Sequence, residues 1–133
     1  MSKGTAKPKT EGAIRAGDGH HLFDLKTAKP IKAGADYSTS SGAVVEGDRM
    51  MVGLMRMPKG TGAAPHSHPN EQWVFVMEGE FESTIDGETH RVKPGSVLYI
   101  PANAVHSGKA VGDHDLVFFT CKDTSHSIHG IKI

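Results

Sequence analysis

The sequence has a single cysteine, no long apolar run, no charge bias and few aromatic residues, and each scarcity removes a class of explanation. Cys121 stands alone among 133 residues, so an internal disulfide is impossible. A lone thiol fits a reducing compartment, and a cytoplasmic protein is expected. No stretch approaches the ~20 apolar residues of a membrane span, so no membrane partner is expected. Lys+Arg and Asp+Glu both number 15. That balance carries no basic footprint for nucleic acid. The opening "MSKGTAKPKTEGAIRAGDG" lacks the apolar core of a secretory signal. Helical periodicity is missing too, since no window of ten or more residues repeats its apolar positions at helical spacing.

What is present is histidine and a β pattern. Nine histidines raise the prior for a metal site. The length suits one domain with its own core. Residues 1–19 are rich in Lys, Gly and Thr without periodicity, which predicts a flexible arm. From about residue 43 onward short β-rich runs alternate with turn signals: "AVVEGD", "RMMVGLMRM", "QWVFVMEG", "EFESTIDG", "ETHRVKPG", "SVLYIPAN" and "HDLVFFTC". Turn signals every 8–12 residues or so predict an all-β sandwich or barrel. "IDGE" sets Asp-Gly between two strand-like runs, a strong hairpin signal. No internal repeat is found, so one barrel over 20–133 is expected.

The stretch "HSHPNEQW" concentrates the chemistry. His66 and His68 are two apart, so on a strand both rings point to one face and can share an ion. If that parity continues, Gln72 joins them, while Glu71 shares the opposite face with Trp73, Phe75 and Met77. Pro69-Asn70 can interrupt the strand and reset the parity, so Glu71 stays open as the alternative.

"GTGAAPHSHPNEQWVFVMEGE" resembles the first motif of the cupin superfamily, through Gly60, His66, His68, Gln72 and Gly79. "PGSVLYIPANAVHSG" resembles the second, through Pro94, Gly95, Pro101 and His106. Asn103 stands where the family usually has Gly, and Asn tolerates the left-handed conformation. The two motifs, at 60–80 and 94–108, span close to two-fifths of the chain. The resemblance implies a single cupin (double-stranded β-helix, or jelly-roll) barrel. It also implies one divalent metal held by His66, His68, Gln72 and His106. Gln72, where many cupins carry Glu, makes the chain most similar to small single-domain cupins of the pectin-degradation type, which open unsaturated uronate rings.

Three imidazoles and an amide oxygen suit Zn, Ni, Fe, Mn or Co. They leave coordination positions open, as a catalytic site requires. Without a carboxylate ligand the ion keeps its full charge, which favours Lewis-acid work on a small oxygen-rich or carboxylated molecule. Isomerisation, ring-opening, lyase or cyclisation chemistry is therefore expected. A metal-dependent dioxygenase and a non-catalytic ligand-binding barrel are the alternatives.

Catalytic residues are not identified by any motif, and four candidates remain. His126 and His129 follow the last predicted strand and can fold over the barrel mouth as acid/base groups. Arg56 shares a face with Met50, Val52 and Leu54; inward, it would hold a carboxylate, and outward, it would meet water. Tyr99, just before "IPAN" in the second motif, is a candidate pocket residue, though core packing suits it too. His20, His21, His90 and His114 read as structural or surface residues. The apolar row Trp73, Phe75 and Met77, opposite the ligand face, needs a cover. A homodimer is expected, with segment 20–40 adding a strand across its interface.

Overall fold

A computed structural model of the chain describes residues 7–17 and 19–133. Among them there is no helix; twelve strands account for the regular structure. These are β1 (Ile14–Arg15), β2 (Ile31–Lys32), β3 (Ser41–Glu46), β4 (Met50–Met57), β5 (Gly62–Ser67), β6 (Gln72–Glu78), β7 (Glu80–Ile85), β8 (Glu88–Val92), β9 (Val97–Ile100), β10 (His106–Val111), β11 (Leu116–Asp123) and β12 (Ile131–Lys132). They form a seven-stranded sheet in the order β1-β3-β4-β11-β6-β9, with β2 also on β3, and a five-stranded sheet in the order β12-β5-β10-β7-β8. Every pairing is antiparallel except β1 with β3. Chain neighbours such as β5 and β6 lie in different sheets, as a jelly roll requires.

The period-2 pattern sets which side chains are inside. Along β6, Gln72, Val74 and Val76 are buried while Trp73, Phe75 and Met77 are exposed. Along β4, Met51, Gly53, Met55 and Met57 face inward. They meet Leu98, Ile100, Leu116 and Phe118 in one core between the sheets. Arg56 therefore lies on the outer face, where it pairs with Asp115 at 3.1 Å. The expected hairpin forms at Asp86-Gly87, with Ile85 opposite Glu88. Both turn residues have positive φ (47° and 86°), the signature of a type I′ turn.

One expectation needs correction. Of the arm predicted over 1–19, residues 1–6 and 18 lie outside the described residues, but 9–16 are docked. Lys9 N donates to both carboxylate oxygens of buried Glu46, at 3.0 and 2.8 Å. Thr10 is fully buried, and its Oγ1 accepts from Ile128 N at 2.8 Å. These partners are 37 and 118 residues away, so no local pattern reveals them. Segment 20–40 contributes β2, which pairs with β3.

Candidate metal centre and cavity

The five-stranded sheet supplies three histidines. His66 lies on β5 and His106 opens β10, directly opposite it in the antiparallel register. His68 follows β5, and its carbonyl accepts from Asn103 N at 2.8 Å. Asn103 has φ 65°, so the left-handed turn that the second motif requires is made without glycine. The three rings converge: centroids are 4.1 Å apart for His66 and His106, and 4.8 Å for His68 and His106. Their nearest nitrogens all lie within 4.8 Å of one another, and the three are buried.

Backbone carbonyls fix the tautomers. His66 Nδ1 lies 2.7 Å from Ala64 O, His68 Nδ1 2.8 Å from Asn70 O, and His106 Nδ1 2.9 Å from Ala104 O. A carbonyl cannot donate, so each Nδ1 carries the proton and each Nε2 keeps a free lone pair. This is the outer arrangement that prepares imidazoles for metal ligation.

Gln72 enters from the other sheet. Thr120 Oγ1 donates to Trp73 O at 2.9 Å and accepts from Gln72 Nε2 at 2.9 Å. The amide oxygen is thereby turned inward, 3.1 Å from His68 Nε2. Two acceptors with no proton between them repel unless a cation sits beside them. The donor set therefore fits a divalent ion, with Gln72 rather than Glu71 on the inner side. Glu71 is exposed, and its backbone N donates to Asp123 Oδ2 at 2.7 Å. The parity survives Pro69-Asn70 because Asn70 is itself buried, donating through Nδ2 to the carbonyls of Asp123 and Ser127. Thr120→Val keeps the shape but frees the amide to turn. It should weaken metal binding by about 10–100-fold, measurable by competition with a chelating dye.

Burial, then the neighbouring His106, lowers the pKa of His66 to about 4; burial, then Lys122, lowers His68 to about 3. The unfolded chain titrates its histidines near 6.5. Below that pH the unfolded state takes up protons that the folded state refuses, so metal-free protein should lose stability from about pH 6.5 down to pH 3–4. Urea midpoints of chelator-treated protein across that range check the sign; a flat profile contradicts it.

A cavity opens beside the histidines, with about 70 Å³ open to water centres, against the roughly 10–15 Å³ one water needs. Its floor is apolar: Met55, Met57, Val74 and Phe118. Lys122 on β11, opposite Gln72 in the strand register, also lines it. Its Nζ donates to Ile128 O at 2.7 Å, and burial pushes its pKa down to about 7. Tyr37 stacks on His66 with centroids 4.1 Å apart, and its hydroxyl accepts from Gly130 N at 2.7 Å. The C-terminal segment thus does fold over the mouth, but through Ile128, not its histidines. His129 Nδ1 accepts from Gly34 N at 3.1 Å, and neither His126 nor His129 lines the cavity. Arg56 and Tyr99 also lie outside it; Tyr99 packs on Trp73 on the outer face. Sequence reasoning missed Lys122 and Tyr37. The inward parity of "LVFFTCK" was a usable signal for Lys122; nothing local marked Tyr37.

Two sheets rolled around converging histidines define a cupin-type barrel. The cupin domain family matches residues 53–121, more than half the chain, and the protein belongs to that family. It is 35% identical over 97 residues to "Polyketide synthase CurC" of Streptomyces cyaneus, covering 71% of this chain and 63% of that one. It is 35% identical over 69 residues to "Dimethylsulfoniopropionate lyase DddW" of Ruegeria pomeroyi, covering 52% and 45%. The chain thus spans less than two thirds of either curated relative. Among solved structures, KdgF from Halomonas sp. superposes with a TM-score of 0.64 at 21% identity, covering 77% of this chain and 92% of that one. At that identity the likeness concerns the fold alone.

Proposed function

We propose that this cupin is a metal-dependent enzyme acting on a small oxygen-rich or carboxylated molecule by Lewis-acid isomerisation, ring-opening, lyase or cyclisation chemistry. The observation that carries the reading is the inward-facing donor set of His66, His68, His106 and Gln72, which contains no carboxylate. A divalent ion held there would supply Lewis acidity with its full charge. The protein's own part is to orient the donors through the three carbonyls and Thr120, and to shed water from the substrate against Met55, Met57 and Phe118. A lyase, a polyketide synthase and two dioxygenases are among the curated relatives, which supports a cupin enzyme and leaves the choice of chemistry to the donor set.

Elemental analysis of protein purified without added metal should find one divalent transition metal per chain. Ultraviolet loss from an unsaturated uronate, abolished by chelation and restored by the metal, is the expected activity. Full activity after chelation would refute metal dependence. Oxygen uptake with a β-diketone or phenol would favour the dioxygenase instead.

The outer row of Trp73, Phe75, Met77, Val97 and Tyr99 is exposed on β6 and on the edge strand β9. We propose that a second copy covers it. Trp73→Lys should then convert a dimer to a monomer by light scattering; an unchanged mass sets the dimer face elsewhere.

A further inference from the structure

We propose that Lys122 is the carboxylate receptor of the cavity, so that the ligand is a small carboxylate. The inference rests on reading the cavity as the ligand site and narrows the substrate class. Lys122 is 5% exposed and projects from β11 among apolar side chains. An ammonium has three donors, and one is used, on Ile128 O. No Asp or Glu is among the described residues that line the cavity. Burial of a cation without a counter-charge is costly, and proteins normally pair it. Here the pairing charge is left for a ligand to supply.

A second donor stands ready in the same cavity. Tyr37 Oη accepts from Gly130 N, and its own proton has no acceptor among the described residues. The strap formed by Ile128–Gly130 therefore holds both groups, Lys122 through a carbonyl and Tyr37 through an amide N–H. A carboxylate has two oxygens, one for each donor. The rest of the molecule then meets both apolar side chains (Met55, Met57, Val74 and Phe118) and hydroxyls (Ser38, Ser40 and Ser107). Lys122 acts here as a positioning residue, separate from the donors that would hold the ion.

The test is calorimetric titration of the full chain with propionate and with its neutral isostere propionamide, in chelator-treated and zinc-loaded forms. Wild-type protein should bind propionate at least about tenfold more tightly than propionamide, as expected for a charged hydrogen bond. Lys122→Met should erase that preference in both forms, and Lys122→Arg should keep part of it. A purely structural lysine, holding only Ile128, would weaken both ligands alike and leave their ratio unchanged; that result overturns the proposal. So does equal binding of the two ligands by wild type. If Lys122→Met does not fold, the Nζ resonance of Lys122 in 15N-lysine-labelled wild type decides. It should move with propionate and not with propionamide, and an unmoved resonance overturns the assignment. The chelated arm keeps this outcome separate from the metal reading, which fails on zinc uptake alone.

Discussion

His68→Ala should abolish tight metal binding while leaving the barrel folded. His68 is the most deeply buried of the three histidines, and its Nε2 lies against the Gln72 oxygen. Losing an outer partner of a ligand costs about 10–100-fold in affinity, so losing the ligand itself should cost more than about 100-fold. The clearest readout is linkage. Zinc at a hundred times its dissociation constant should raise the stability of the wild-type protein by about 2.7 kcal/mol and that of the variant hardly at all. The metal-free proteins should differ far less, because the substitution also relieves the acceptor–acceptor contact with Gln72. Turnover should fall with metal content. Zinc stabilisation equal to wild type in His68→Ala would mean that the histidine cluster does not hold the ion.

Gly62→Ala should be the most damaging small substitution near the site. A Cβ at Gly62 would lie 2.1 Å from Gly108 O and 3.0 Å from Lys109 Cα. Both are backbone atoms of β10, so no side chain can swing away, and β5 must part from β10. Overpacking of this kind costs at least about 1–3 kcal/mol, and with backbone on both sides the upper end is expected. For a domain of this length that is a fall in Tm of roughly 10 °C. The consequence reaches function because β5 carries His66 and β10 carries His106, directly paired. Zinc affinity should drop together with Tm, although residue 62 touches no ligand. A Tm within about 2 °C of wild type would show that the two strands have slack.

Much of this site was legible from spacing. His66, His68 and Gln72 share parity, and that parity persists across Pro69-Asn70 in the structure because Asn70 stays buried as a clamp. The Asp86-Gly87 hairpin and the left-handed Asn103 follow from turn chemistry of a few residues. Parity also grouped Arg56 correctly with Met50, Val52 and Leu54, but it cannot say which of two faces is inside. The methionines at 51, 55 and 57 took the core, which left Arg56 to Asp115 and the solvent. The histidines of the tail drew attention for their chemistry, whereas the tail works through three backbone groups: Ile128 O, Ile128 N and Gly130 N.

The sequence by itself determined what lies within reach of one strand or one turn: the all-β pattern, the hairpin, the shared face of the two motif histidines, and the motif pair that marks a cupin. Those features depend on period 2 and on φ preferences, both local. Only the tertiary structure decided that Lys122 faces Gln72, that Thr120 turns the amide, that Tyr37 stacks on His66, and that Ile128 closes the cavity. Each joins segments distant in the chain, and such contacts are set by which strands pair and which faces the core claims, a choice made by the whole chain at once.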